Sequence, residues 1–187
     1  MKKLYFVTSN KGKISEAQKI FEDFDIEIIQ KNLGYPEIQS DKLENVAMYG
    51  VNYLRKKLKK AFIIEDAGLF IDVLNKFPGV YSSYVYRTIG LNGILKLIKD
   101  FRDNKLDSLF KSVIALNIPG KHTKLFIGIC QGKISNEIIG NNGFGYDPIF
   151  IPKGEEMTFA QMSTITKNRL SHRGKSFNKL IRYLRNE

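Results

Sequence analysis

The side chains best suited to chemistry fall into four short segments. The first is Thr8-Ser9-Asn10-Lys11-Gly12-Lys13, where an apolar run passes through small polar residues into a helical pattern. Such a turn leaves helix N-terminal amides free to attract an anion, and Lys13 adds charge in the first turn. Plain helix capping by Ser9 or Asn10 explains the same residues. It is not a Walker A loop, because the glycine spacing differs and Ile14 follows the lysine. The second segment, Glu65-Asp66, is read as the end of the apolar run Ala61 to Ile64. Adjacent carboxylates at a strand end could hold Mg2+ or activate a water, with one of the two facing the site. Glu37, in a loop begun by Pro36, is a candidate second metal ligand. A solvated carboxylate pair and an ordinary loop glutamate fit these residues equally.

The third segment is Gly143-Phe144-Gly145-Tyr146-Asp147-Pro148. Its glycines allow close approach, and Pro148 disfavours helix at Asp147. A loop of this kind could hold a flat ring against Phe144 or Tyr146 while Asp147 reads the ring's edge. A turn folding its aromatics back into the core is the other reading. In the fourth segment, Lys167-Asn168-Arg169-Leu170-Ser171-His172-Arg173, Ser171 suits a helix N-cap. Cations are disfavoured at a helix start, so their presence there calls for an anion. His172 could meet a phosphate or a base edge. A metal role does not suit it, since no second His or Cys lies nearby.

Apolar periodicity supplies the elements that would position these groups. A strand at Leu4 to Thr8 leads into a helix with Ile14, Ala17, Ile20, Phe21 and Phe24 on one stripe. Ile26 to Ile29 reads as a strand, Leu43 to Lys60 as a helix, and Ala61 to Ile64 as a buried strand. A helix is expected around Gly90 to Phe101. Leu109 to Ile118 and Thr123 to Cys130 form a hairpin about Pro119-Gly120, Lys133 to Ile139 is a further strand, and the tail from Ser171 is helical. The pattern predicts one α/β domain over residues 1–187 with a mixed sheet.

The bulk properties narrow the function. Hydrophobic residues at 43% and no apolar run of membrane-span length exclude a disordered chain and a spanning helix. The single cysteine, Cys130, excludes an internal disulfide, fits a reducing cytoplasm and reads as a buried structural thiol. A net charge of +11 predicts an anionic partner: nucleic acid, an acidic surface or a charged small substrate. The densest basic run, Arg55-Lys56-Lys57-Leu58-Lys59-Lys60, reads as the solvated face of an amphipathic helix. Basic residues are spread along the chain without an interleaved aromatic RNA-binding signature, so no stable nucleic-acid partner is expected.

Taken together and in order, Thr8-Ser9-Asn10-Lys11-Gly12-Lys13, Glu65-Asp66-Ala67-Gly68-Leu69, Gly143-Phe144-Gly145-Tyr146-Asp147-Pro148-Ile149-Phe150 and Ser171-His172-Arg173 resemble the inosine triphosphate pyrophosphatase (Ham1-like) family. Pro36-Glu37-Ile38-Gln39, Phe77-Pro78-Gly79-Val80-Tyr81-Ser82 and Thr158-Phe159-Ala160 look like its connecting segments. The resemblance implies a mixed α/β fold: an elongated sheet with flanking helices and two lobes around a nucleotide-binding cleft, as a homodimer. It implies Mg2+-dependent hydrolysis of ITP, XTP and dITP to the monophosphate and pyrophosphate. Carried across, Thr8, Ser9, Asn10, Lys11, Gly12, Lys13 and Lys167 would hold the triphosphate, with Ala67 also in the substrate-binding set. Glu37 and Asp66 would bind Mg2+, with Asp66 as the base for the attacking water. Phe144, Gly145, Tyr146, Asp147, His172 and Arg173 would hold the purine. Two positions depart from the family pattern: Gly50 stands where a lysine is common, and Gln161 where an acidic residue is common.

Overall fold

The computed structural model describes residues 2–36, 38–101 and 106–186. Along the chain run β1 (Lys2–Val7), α1 (Lys11–Phe21), β2 (Ile26–Lys31), α2 (Leu43–Leu54), β3 (Phe62–Ile71) and β4 (Pro78–Gly79). Then come α3 (Ser82–Thr88), α4 (Gly90–Ile98), β5 (Asp107–Asn117), β6 (Lys124–Ile134), β7 (Phe150–Pro152), α5 (Thr164–Leu170) and α6 (His172–Arg185). The strands form one mixed sheet in the order β2-β1-β3-β5-β6-β7, with β4 paired to β3 off that path. β1 is parallel to both β2 and β3, as crossover helices require, whereas β3, β5, β6 and β7 are successively antiparallel. This is the mixed α/β architecture that the alternation of patterns predicts.

Alternation along the strands sorts the core. Ile63 and Ile114 pack with Phe6, Ala17, Phe21 and Phe177 beneath α1 and α6. Ile64, Val113 and Ala115 point to the opposite face and pack with Ala47 and Val51 on α2. A separate cluster around Phe110, Phe150 and Phe159 fills the far end of the sheet against α3 and α4.

Three expectations are corrected. β3 does not stop at Glu65-Asp66; it continues to Ile71, because β5 pairs with it from Phe62 to Ile71. The strand that ends there is β1, which pairs with β3 only at Phe62 and Ile63. The two carboxylates therefore sit mid-strand, where the parallel neighbour has left the sheet. Secondly, α2 ends at Leu54, so the basic run after it is not a helix face. Like charges four apart, Arg55 with Lys59 and Lys56 with Lys60, oppose continuation. Thirdly, Lys133 and Ile134 close β6, and no strand is assigned at residues 135–139. The short helices α3 and α5 escape the sequence pattern, being too brief for a helical period to register.

Candidate active site

A cleft of about 920 Å3 opens where β1 ends, between the clusters at the two ends of the sheet. Val7, Thr8, Ser9, Asn10 and Lys13 line one side, Asp66 and Ala67 its floor, and Gly143 to Asp147 with His172 and Arg173 another side. Tyr81, just before α3, and Ser83, Tyr84, Tyr86 and Arg87 on it complete the wall.

The turn after β1 is built by capping. Asn10 Oδ1 accepts the Lys13 amide at 3.1 Å, and the Asn10 amide donates to Thr8 Oγ1 at 3.1 Å. Lys13 folds back onto β3, where its Nζ lies 2.8 Å from both the Glu65 backbone oxygen and Glu65 Oε2. Lys11 and Gly12 are not in the cleft lining; Lys11 is exposed, and Gly12 carries the Phe144 ring directly on its Cα, where a Cβ would collide with it.

Glu65 and Asp66 face opposite ways. The fully buried Glu65 Oε1 accepts from Ser112 Oγ at 2.7 Å and from Arg173 Nε at 3.2 Å. Arg173 Nη1 donates to Glu16 Oε2 at 2.7 Å, and Glu16 Oε1 binds Lys167 Nζ at 2.5 Å. Lys167 Nζ also donates to Asp147 Oδ2 at 2.6 Å, which accepts the Phe144 amide at 2.7 Å. One chain of charge thus joins the first turn of α1 to the glycine-framed loop. The anion that tolerates cations beside the start of α6 is therefore a set of internal carboxylates. Glu16 was not singled out from sequence. Its signal is weak: the single acid of α1, set on the apolar side of the helix and buried with Ile14 and Ala17.

The electrostatics follow from burial. Burial raises the Glu65 carboxyl, but the Arg173 and Lys13 charges outweigh it and hold the group well below the usual range. For Glu16, burial is likewise overcome by Arg173 and Lys167. For Asp147 burial wins over Lys167, and the carboxyl is raised. Burial first, and the Arg173 charge next, push His172 well below its ordinary value, so its imidazole is neutral. The ring stacks on Phe110 at 4.5 Å, and its Nδ1 is buried without a hydrogen-bond partner among the described residues.

The loop residues separate by role in the fold. Tyr146 is buried beneath the loop and donates from its hydroxyl to the Ser82 backbone oxygen at 2.8 Å. Gly143, at φ 74°, lets Asp147 turn back onto the loop. Phe144 is half-buried, with Lys167 Nζ 4.9 Å and the Arg173 guanidinium carbon 5.1 Å from its centroid. Lys167 is 3% exposed and lies behind the cleft lining. Gly50 leaves room for the Tyr35 ring, which borders the cleft, and Gln161 caps the turn at Thr158 by accepting its amide at 2.9 Å. Glu37 lies outside the described residues. Cys130 is buried, its thiol pushed up by burial to about 11.

Asp66 is half-buried in the cleft and offers hard oxygen, as Mg2+ prefers. No cluster of three or more ligating side chains occurs among the described residues. That donor set fits an ion held through one or two carboxylates and completed by substrate phosphates. Among the described residues no helix is long and apolar enough to cross a membrane.

Residues 4–183 match the Ham1 family. The chain is 53% identical over 183 residues to a dITP/XTP pyrophosphatase of Pyrococcus horikoshii, covering 98% of this chain and 97% of the relative. It is 49% identical, with the same coverage, to a dITP/XTP pyrophosphatase of Thermococcus kodakarensis. Among solved structures, a Ham1 protein from Coxiella burnetii superposes with a TM-score of 0.87 at 28% identity, covering 100% of both chains. The Staphylococcus aureus Ham1 protein gives 0.84 at 30% identity over 99% of each chain.

Proposed function

The chain belongs to the Ham1 family, and from that premise we propose that it is a nucleoside-triphosphate pyrophosphatase. Its substrates are the non-standard purine nucleotides dITP, XTP and ITP, cleaved to the monophosphate and pyrophosphate with Mg2+. The observation that carries this reading is Asp66, a carboxylate in a cleft rimmed by a capped anion-attracting turn on one side and an aromatic loop on the other.

When bound, Mg2+ neutralises phosphate charge; Asp66 and Glu37 would hold it. Asp66 orients a water and takes its proton as the water attacks the α-phosphorus. With the Asn10 and Lys13 amides held by Thr8 and Asn10, the remaining amides at the start of α1 donate to phosphate oxygens. Phe144 stacks the purine, and the unpaired His172 Nδ1 meets the base edge. A 6-keto purine presents an acceptor where adenine presents a donor, and an unmatched buried polar contact is costly. Guanine differs from hypoxanthine by a 2-amino group, so rejecting GTP requires a steric or an unsatisfied-donor penalty at that position. The homodimer implied by the resemblance belongs to the same reading, and light scattering tests it.

Pyrophosphate release from dITP, XTP, ITP, ATP and GTP is the direct test. The expected order puts the first three well above ATP and GTP. Equal rates on all five would remove the selectivity claim. Asp66→Asn should cut turnover by at least about a hundredfold with little change in melting temperature, as loss of a general base does. Near-normal turnover would sink the assignment of Asp66.

A further inference from the structure

Among the described residues, three cationic side chains line the cleft: Lys13, Arg173 and Arg87. Lys13 and Arg173 are held by the buried carboxylates of Glu65 and Glu16. Arg87 differs. It is exposed in the last turn of α3 and makes no ion pair or side-chain hydrogen bond among the described residues.

The helix that carries it is fixed in place. Ser82 Oγ accepts the Leu69 amide at 2.8 Å and donates to the Gly79 oxygen at 2.6 Å, tying α3 to β3. Tyr86 packs edge-on against Tyr146 at 5.5 Å, tying α3 to the glycine-framed loop. Arg87 and Ser83, one turn apart, both border the cleft. The guanidinium is thus presented by a rigid element, with its charge uncompensated.

A nucleoside triphosphate brings close to four negative charges to a site whose buried cations are already neutralised. The planar fork of arginine matches phosphate oxygens in pairs. We propose that Arg87 is a substrate-binding residue that grips the phosphate chain. This rests on the pyrophosphatase reading. The alternative is an arginine that merely complements the C-terminal dipole of α3.

Arg87→Ala and Arg87→Lys separate the two. With dITP, Arg87→Ala should raise KM about tenfold, the loss of one charge-assisted hydrogen bond, and leave kcat nearly unchanged. Arg87→Lys should recover part of the loss, and neither variant should shift the melting temperature. Calorimetric titration with pyrophosphate should weaken about tenfold in Arg87→Ala, while titration with inosine should not change. An unchanged KM and pyrophosphate affinity would overturn the proposal, as would weaker inosine binding with pyrophosphate binding intact. If the wild-type protein released no pyrophosphate from any purine triphosphate, the pyrophosphatase reading would fall. The pyrophosphate titration would still decide whether Arg87 binds phosphate.

Discussion

The buried chain of charge behind the cleft and the exposed wall formed by α3 use the same side-chain chemistry under opposite conditions. In the first, Lys13, Arg173 and Lys167 meet Glu65, Glu16 and Asp147, and every one of these charges has a partner. On the second, Tyr84 is 62% exposed and Arg87 stands without an ion pair among the described residues. Removing a charge from water costs several kcal/mol, so a buried cation must be compensated from within the fold. An exposed one keeps its hydration and can exchange it for a ligand. Burial thus divides residues that hold the site's shape from residues free to respond to what enters it. The border runs between neighbours: Glu65 faces α1 and α6, while Asp66 faces the other side of β3.

That division is broken most severely at Glu65. Glu65→Ala leaves the buried Arg173 and the part-buried Lys13 with one carboxylate fewer between them. Breaking a buried pair this way costs about 3–5 kcal/mol. For a chain of this size the melting temperature should fall by roughly 10 °C. A loss under about 1 kcal/mol in denaturant unfolding would mean that water compensates these cations and that the chain of charge is not structural.

Much of this arrangement was legible in the sequence, and the gaps have physical causes. The turn at Asn10, the cap at Ser171 and the β5–β6 hairpin follow from local chemistry, and the structure has all three. The end of β3 was misread because polar residues in mid-strand look like a terminus. Only the pairing with β5, some fifty residues away, shows that Glu65 and Asp66 are internal to the strand. Lys167 resembles a phosphate ligand by type and position, yet its Nζ is shared by Glu16 and Asp147. Pairing across the fold leaves no periodic trace, so neither Glu16's role nor Arg87's isolation could be read from spacing.

Phe144 tests the border between the two regions, since one face of its ring lies over buried cations while the residue borders the cleft. If it stacks the base, Phe144→Ala should raise KM for ITP about tenfold, within the range for one base–aromatic contact. Losing its contacts with Lys167 and Arg173 should cost about 1 kcal/mol of stability. A stability loss of several kcal/mol with KM unchanged would make the ring part of the buried framework, sealing Gly12 instead of reading a purine.

The smallest expected effect separates the two regions by pH. His172 is buried neutral, its folded value pushed below 6.5 first by burial and then by the Arg173 charge. The unfolded chain binds a proton at this residue near pH 6.5 that the folded chain refuses. Its contribution to stability is therefore full above that pH and is lost as pH falls, by at most about 1.4 kcal/mol per pH unit. Glu16 and Glu65 are also depressed, but from 4.5, so their ion pairs with Arg173, Lys167 and Lys13 begin to give way only below that value. Melting temperature followed from pH 7 to about pH 5 should accordingly decline in the wild type through His172, ahead of the steeper acid transition, with Asp147 opposing it because its raised carboxyl takes up a proton first in the folded chain. His172→Gln should flatten the upper window and leave the lower one in place. A wild-type slope that persists in this variant would assign the upper window to some other group, and with it remove the case for a neutral imidazole facing the base.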